Sequence, residues 1–141
     1  MSKIKILLVG YGYWGPNLAR NLNENSDVEF SGILEIDQDL HKKISEDYPE
    51  IPIFSDIDEI GFDHDAAIVS TPATTHFSIG KKLLEKGLHV LIEKPLATTE
   101  DDCKKLIKIS KEKQVKLMVG HTYLYNAAVK KIKEIIIVIN M

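Results

Sequence analysis

The 141-residue sequence predicts an α/β domain built on a doubly wound parallel sheet with strand order 3-2-1-4-5-6. Three observations carry that prediction. Short apolar runs alternate with longer amphipathic segments, six runs in all. A glycine-rich turn, Gly10-Tyr11-Gly12-Tyr13-Trp14-Gly15, joins the first run to the first amphipathic segment. The residues of chemical interest fall just after the apolar runs, where an open parallel sheet of this kind binds its ligands.

The elements follow in order. Ile4 to Val9 is almost entirely apolar, as a strand covered on both faces must be. Trp14 to Asn25 has helical spacing. Val28 to Glu35 reads as the second strand and Gln38 to Asp47 as the second helix, stopped near Pro49. Pro52 to Phe54 is a short third strand and Ala66 to Ser70 a fourth. The helix from about Thr74 to Lys86 ends at Gly87, a C-terminal stop. Leu88 to Ile92 is the fifth strand. Thr99, with Asp102 three positions on, is an N-cap for a helix running to Lys113. Val115 to Val119 is the sixth strand, and Asn126 caps a last helix to Ile135. Alternation of strand and helix requires right-handed crossovers, with helices on both faces.

Composition excludes several classes. With 44% hydrophobic and 28% charged residues this is an ordinary globular chain, long enough for one domain with a proper core. A net charge of −3 makes no electrostatic case for nucleic acid or an anionic membrane. Pairs such as Lys81-Lys82 and Lys104-Lys105 read as solvated helix faces. Cys103 is the only cysteine, so an intrachain disulfide is ruled out; with no signal-peptide pattern and no bilayer-length apolar segment, a cytoplasmic location is expected.

The glycine turn is of the GxGxxG type, in the context that gives it meaning: after a buried strand and at the start of a helix. Gly10 permits the tight turn, Gly12 lets a pyrophosphate approach the backbone, and Gly15 lets helix and strand pack closely. Free N–H groups and the helix dipole then face the phosphates. This is the dinucleotide-binding pattern of a Rossmann fold. Glu35 ends the second strand, twenty residues after Gly15. An acid there can accept both ribose hydroxyls of the adenosine and repel a 2′-phosphate, so NAD is favoured over NADP. Asp37 either shares that role or starts the next helix. Glycine loop plus acid also occurs in methyltransferases that bind S-adenosylmethionine, so these two features alone leave the ligand open. Trp14 is a packing residue or a cover for the dinucleotide. His41, His64 and His89 match no metal-ligand spacing, and Cys103 reads as core.

Three further motifs stand at strand ends: Ser70-Thr71-Pro72 followed by Thr75-His76, Glu93-Lys94-Pro95, and Gly120-His121-Thr122 followed by Tyr123-Leu124-Tyr125-Asn126. With Gly12-Tyr13-Trp14-Gly15-Pro16-Asn17, they resemble the glucose-fructose oxidoreductase/inositol dehydrogenase/MocA family over residues 3–134. The glycine-loop and Gly-His-Thr variants are similar to a bacterial subgroup, the UDP-N-acetyl-amino-sugar 3-dehydrogenases. The resemblance implies a cofactor site of Gly10, Gly12, Tyr13, Trp14, Gly15, Glu35, Ser70, Thr71, Pro72, His76, Glu93, Lys94 and His121. Thr71 and Pro72 would line the nicotinamide ribose, with His76 beside it. Lys94 would be catalytic and touch substrate, and Tyr125 would stand on the substrate side. The peptide before Pro95 is a candidate for the cis form. The chemistry agrees: a hydride leaving a C–OH needs a group to take up the hydroxyl proton, and a partly buried lysine beside a cofactor cation suits that.

The family implies a second, sugar-binding domain, which these 141 residues do not hold. Residues 1–134 are therefore read as the dinucleotide-binding domain and 135–141 as an apolar tail, which can fold back or pair with a second copy as an edge strand. The expected function is the NAD-binding part of an enzyme moving hydride between a sugar, such as a UDP-amino sugar, and NAD, incomplete without its second half. The competing readings are a nucleotide-binding or sensing module without turnover, and an enzyme completed by a partner chain.

Overall fold

The computed structural model describes residues 2–139. Strands β1 (Ile4–Val9), β2 (Val28–Leu34), β3 (Ile53–Phe54), β4 (Ala66–Val69), β5 (His89–Ile92) and β6 (Leu117–Val119) form one parallel sheet in the order β3-β2-β1-β4-β5-β6. Helices α1 (Gly15–Glu24), α2 (Gln38–Asp47), α3 (His76–Glu85), α4 (Glu100–Glu112) and α5 (Ala127–Ile139) accompany it. The doubly wound sheet expected from the sequence is therefore present, with its switch point between β1 and β4.

Alternation along β1 explains the two layers of core. Leu7 and Val9 join Leu83, Leu84 and Leu106 of α3 and α4 on one face. Leu8 joins Ala19 and Leu22 of α1 and Ile44 of α2 on the other. The pairing of β1 with β2 slips by one residue between Ile6 and Leu7, so Ile6 faces Phe30 while Leu7 faces Gly32. That slip lets Phe30 and Ile33, three apart, serve the same core layer. The Ser31 it sets aside meets His64 Nδ1 at 2.7 Å, and burial lowers the pKa of His64 below its ordinary value.

Several local expectations are met atom by atom. Thr99 Oγ1 accepts from Asp102 N at 3.1 Å, and Asn126 Oδ1 accepts from Ala128 N at 2.9 Å. Asp37 caps α2 by accepting from Asp39 N at 3.0 Å, so it does start the helix, and it also lines the cleft described below. The last helix runs further than its sequence pattern implied. It continues through Ile139, so residues 135–139 of the apolar tail are helical and not an edge strand. Asn140 and Met141 lie outside the described residues. No side chain from 127 to 137 is buried: Ile132, Ile135, Ile136 and Ile137 all stand about half exposed.

Candidate functional site: a dinucleotide cleft and a neighbouring lysine pocket

A cleft of about 560 Å³ opens at the carboxyl ends of β1, β2 and β4, lined by Gly10, Gly12, Tyr13, Trp14, Glu35, Ser70, Thr71 and Pro72 among others. The glycine turn has the geometry its spacing implied. Gly10 sits at φ +93°, where a side chain would be strained, and a Cβ there would meet Thr71 Cγ2 at 2.8 Å. At Gly15 a Cβ would fall 2.6 Å from the carbonyl oxygen of Gly10, so helix and turn can touch only without one. Gly12 differs: a Cβ there would meet nothing within 4 Å. The space in front of Gly12 belongs to the cleft, as a pyrophosphate approaching the backbone requires.

The helix behind this turn begins without a side-chain cap, since Trp14 holds the N-cap position and makes no capping bond. At its amino end Pro16 carries no N–H and Asn17 N donates to the Trp14 carbonyl at 3.1 Å, so no side-chain cap stands between the start of α1 and the cleft. Trp14 is half exposed and stands edge-on to Tyr13, ring centroids 5.7 Å apart, on the cleft wall.

Glu35 is buried, and its carboxylate is held from two sides. Oε2 accepts from Tyr11 N at 2.6 Å and Oε1 from Asp37 N at 2.9 Å. A carboxylate accepts about four hydrogen bonds, so two remain for a diol. The backbone contacts tie the glycine turn to the end of β2, a second duty that spacing alone did not reveal. Tyr11 adds to the tie: its side chain is buried, 6.4 Å from the ring of Tyr48, and its hydroxyl donates to Asp47 Oδ2 at 3.4 Å. Burial, then Tyr48 and Asp47 beside it, push the Tyr11 phenol well above its ordinary pKa. Ser70 closes the other side by donating to the carbonyl of Gly10 at 2.8 Å.

Residues the motifs did not single out add to the wall: Val9, Leu34, Ile36, Leu40 and Ile79. Ile36 had a signal in the sequence. An apolar residue between Glu35 and Asp37, at a polar strand end, has no core to enter; it stands 80% exposed over the cleft.

A second cavity of about 450 Å³ lies at the ends of β5 and β6, lined by Lys94, Pro95, Gly120, His121, Thr122, Tyr123, Leu124 and Val129. The Lys94–Pro95 peptide is cis. Lys94 and His121 share this wall, as the motifs implied, but Lys94 is exposed and not partly buried. The Glu93 carboxylate lies against Gly120, where a Cβ would come within 3.0 Å of it, and lines neither cavity. Tyr125 is 65% exposed and lies outside both linings. His76 is buried, 1% exposed, and reaches neither cavity directly. Among the described residues no cluster of His, Cys, Asp and Glu is arranged to hold a metal ion, and no helix is long and apolar enough to cross a membrane.

Parallel sheet, glycine turn and buried strand-end acid together define a nucleotide-binding domain of the Rossmann type. The chain belongs to the Gfo/Idh/MocA oxidoreductase family, whose NAD-binding Rossmann-fold model matches residues 4–121. An uncharacterized oxidoreductase of Streptococcus pneumoniae is 33% identical over 135 residues, 94% of this chain and 36% of that protein. The UDP-N-acetylglucosamine 3-dehydrogenase of Acidithiobacillus ferrooxidans is 28% identical over 57% of this chain and 26% of its own length. The scyllo-inositol 2-dehydrogenase (NADP(+)) IolW of Bacillus subtilis is 28% identical over 96% of this chain and 38% of its own. Among solved structures, the oxidoreductase yvaA of Bacillus subtilis superposes with a TM-score of 0.85 at 26% identity, covering 96% of this chain and 40% of that one. The chain thus spans little more than a third of the length of the curated relatives that match most of it.

Proposed function

We propose that this chain binds NAD in preference to NADP and supplies the cofactor-holding part of an enzyme that moves hydride between a sugar C–OH and the nicotinamide. The single observation that carries the reading is the pairing of Gly12 with Glu35 in one cleft: an open approach to the backbone beside a buried, backbone-held carboxylate. A 2′-phosphate brought to that carboxylate would meet like charge, whereas a ribose diol would find two free acceptor positions.

The residues fit a dinucleotide. Gly12 and the uncapped start of α1 would take the pyrophosphate, Glu35 the adenosine ribose, and Ile36 and Leu40 an apolar face of the adenine. Tyr13 and Trp14 would cover the chain between the two rings, and Thr71 with Pro72 would line the nicotinamide ribose. Bound there, NAD supplies hydride acceptance or donation. Lys94 would hold the sugar hydroxyl and take up or return its proton at Nζ, with His121 on the same wall. An exposed lysine does this poorly until water is excluded, so turnover needs cover over the Lys94 cavity. A further domain or a partner chain could supply it. A UDP-linked amino sugar is the substrate class we favour, on the glycine-loop and Gly-His-Thr variants.

Calorimetric titration of the chain with NAD, NADH and NADPH, followed by a dehydrogenase assay on UDP-sugars, tests this. Tight NADH binding with slow or no turnover is expected. A chain that binds none of the three cofactors contradicts it.

A further inference from the structure

His76 opens α3, yet its ring serves two loops outside that helix. Nδ1 lies 2.7 Å from the carbonyl oxygen of Pro95, and Nε2 lies 2.8 Å from that of Thr71. Carbonyl oxygens only accept, so the imidazole must supply the protons. Either neutral tautomer satisfies one contact, and the doubly protonated ring satisfies both. The side chain is 1% exposed, so water cannot substitute for it. Thr71 lines the dinucleotide cleft and Pro95 lines the Lys94 cavity. One buried ring therefore fastens a wall of each cavity to the other.

The loop after β4 is fastened further by its own side chains. Thr75 Oγ1 lies 2.8 Å from Thr71 Oγ1 and 2.7 Å from the Pro72 carbonyl oxygen. The loop carrying Lys94 has less of this. Lys94 N meets its neighbour's carboxylate at 3.3 Å; Glu93 N donates to the Val69 carbonyl at 2.9 Å as the strands end, and beyond that bond His76 is the side-chain tie across to the dinucleotide cleft.

We propose that His76 is a positioning residue that sets where Lys94 stands relative to the nicotinamide half of the cofactor, without touching either. The proposal rests on the reading that the Lys94 cavity faces the reacting end of NAD. It separates the two halves of the ligand: the adenosine half meets the glycine turn and Glu35, which His76 does not contact, while the nicotinamide half meets the loops it joins.

His76→Phe keeps an aromatic ring and removes both ring nitrogens; His76→Gln keeps an amide that can donate to one carbonyl and serves if the first variant folds poorly. The full chain is titrated with ADP-ribose and with NADH, and backbone amide exchange is followed over residues 71–75 and 93–97. ADP-ribose affinity should stay within about twofold of the parent, while NADH weakens about tenfold, the scale of one lost buried hydrogen bond. Exchange should quicken in both segments, and His76→Gln should fall between parent and His76→Phe. Equal loss of both ligands, unchanged NADH affinity, or quickened exchange in 71–75 alone overturns the proposal. A parent that binds ADP-ribose and NADH equally would instead fail the nicotinamide reading, and the exchange pattern would still decide the clamp.

Discussion

The two cavities on the carboxyl edge are built in opposite ways. Around the glycine turn, Tyr11 and Glu35 are 3% and 8% exposed, and hydrogen bonds from Tyr11, Asp37 and Ser70 fix the turn against β2 and β4. Around Lys94 the wall is loose in chemistry: Lys94, His121 and Thr122 are exposed, and Tyr123 and Leu124 are 74% and 64% exposed. Binding a dinucleotide needs groups fixed in place by their own fold, and the first region has them. Acid–base work on a sugar needs exclusion of water as well, and the second region offers groups without cover. The contrast teaches that, on the proposed function, the groups for cofactor binding are fixed by this fold itself while the groups proposed for turnover are not.

The sharpest way to break the comparison is Gly12→Val. Its Cβ enters open space, so the fold and Tm should be unchanged, while the added methyls occupy the approach to the backbone. NADH affinity should fall on the order of tenfold to a hundredfold. If calorimetry finds parent-like affinity, the glycine turn is not the phosphate site. Lys94→Met is the counterpart in the open region. It should leave NADH affinity within about twofold, because the ammonium is exposed and screened, and abolish whatever sugar-dependent NAD reduction the parent shows. A large loss of NADH binding would erase the distinction between the regions.

Glu35→Ser sharpens the comparison within the closed region. Loss of the carboxylate removes the diol acceptor and two backbone ties, so NADH should weaken about tenfold, while NADPH is relieved of repulsion and the gap between them narrows. Competitive titration that leaves the ratio of the two affinities untouched would show that the charge of Glu35 plays no part in choice. The smallest expected effect concerns α5. Its half-exposed Ile132, Ile135, Ile136 and Ile137 forgo part of the roughly 1.5–3 kcal/mol that burial of each such side chain is worth. Light scattering over a concentration series should show more self-association for the parent than for a chain ending at Glu134. Equal behaviour would assign any association to another face.

The fold was legible because its signals are local and repeated: buried strands read as apolar runs, and caps such as Thr99 and Asn126 sit at fixed offsets from the bonds they make. The glycine turn was legible for the same reason, since Gly10 and Gly15 each answer to a close approach within the fold. The end of α5 was not, because a run of isoleucine and valine has no period with which to separate helix from strand. Nor were the second duties of Glu35 and His76. Both depend on which backbone groups of distant loops are left needing a partner, and spacing along the chain does not record that. The exposure of Lys94 was missed for a related reason: a strand-end motif gives the residue's place but not what covers it.

The claim that Gly12 and Glu35 make one NAD-selective site is tested most directly by titrating the parent chain with NADH and NADPH under identical salt and pH. The account predicts one NADH bound per chain, more tightly than NADPH. NADPH binding as tight as NADH or tighter would contradict it.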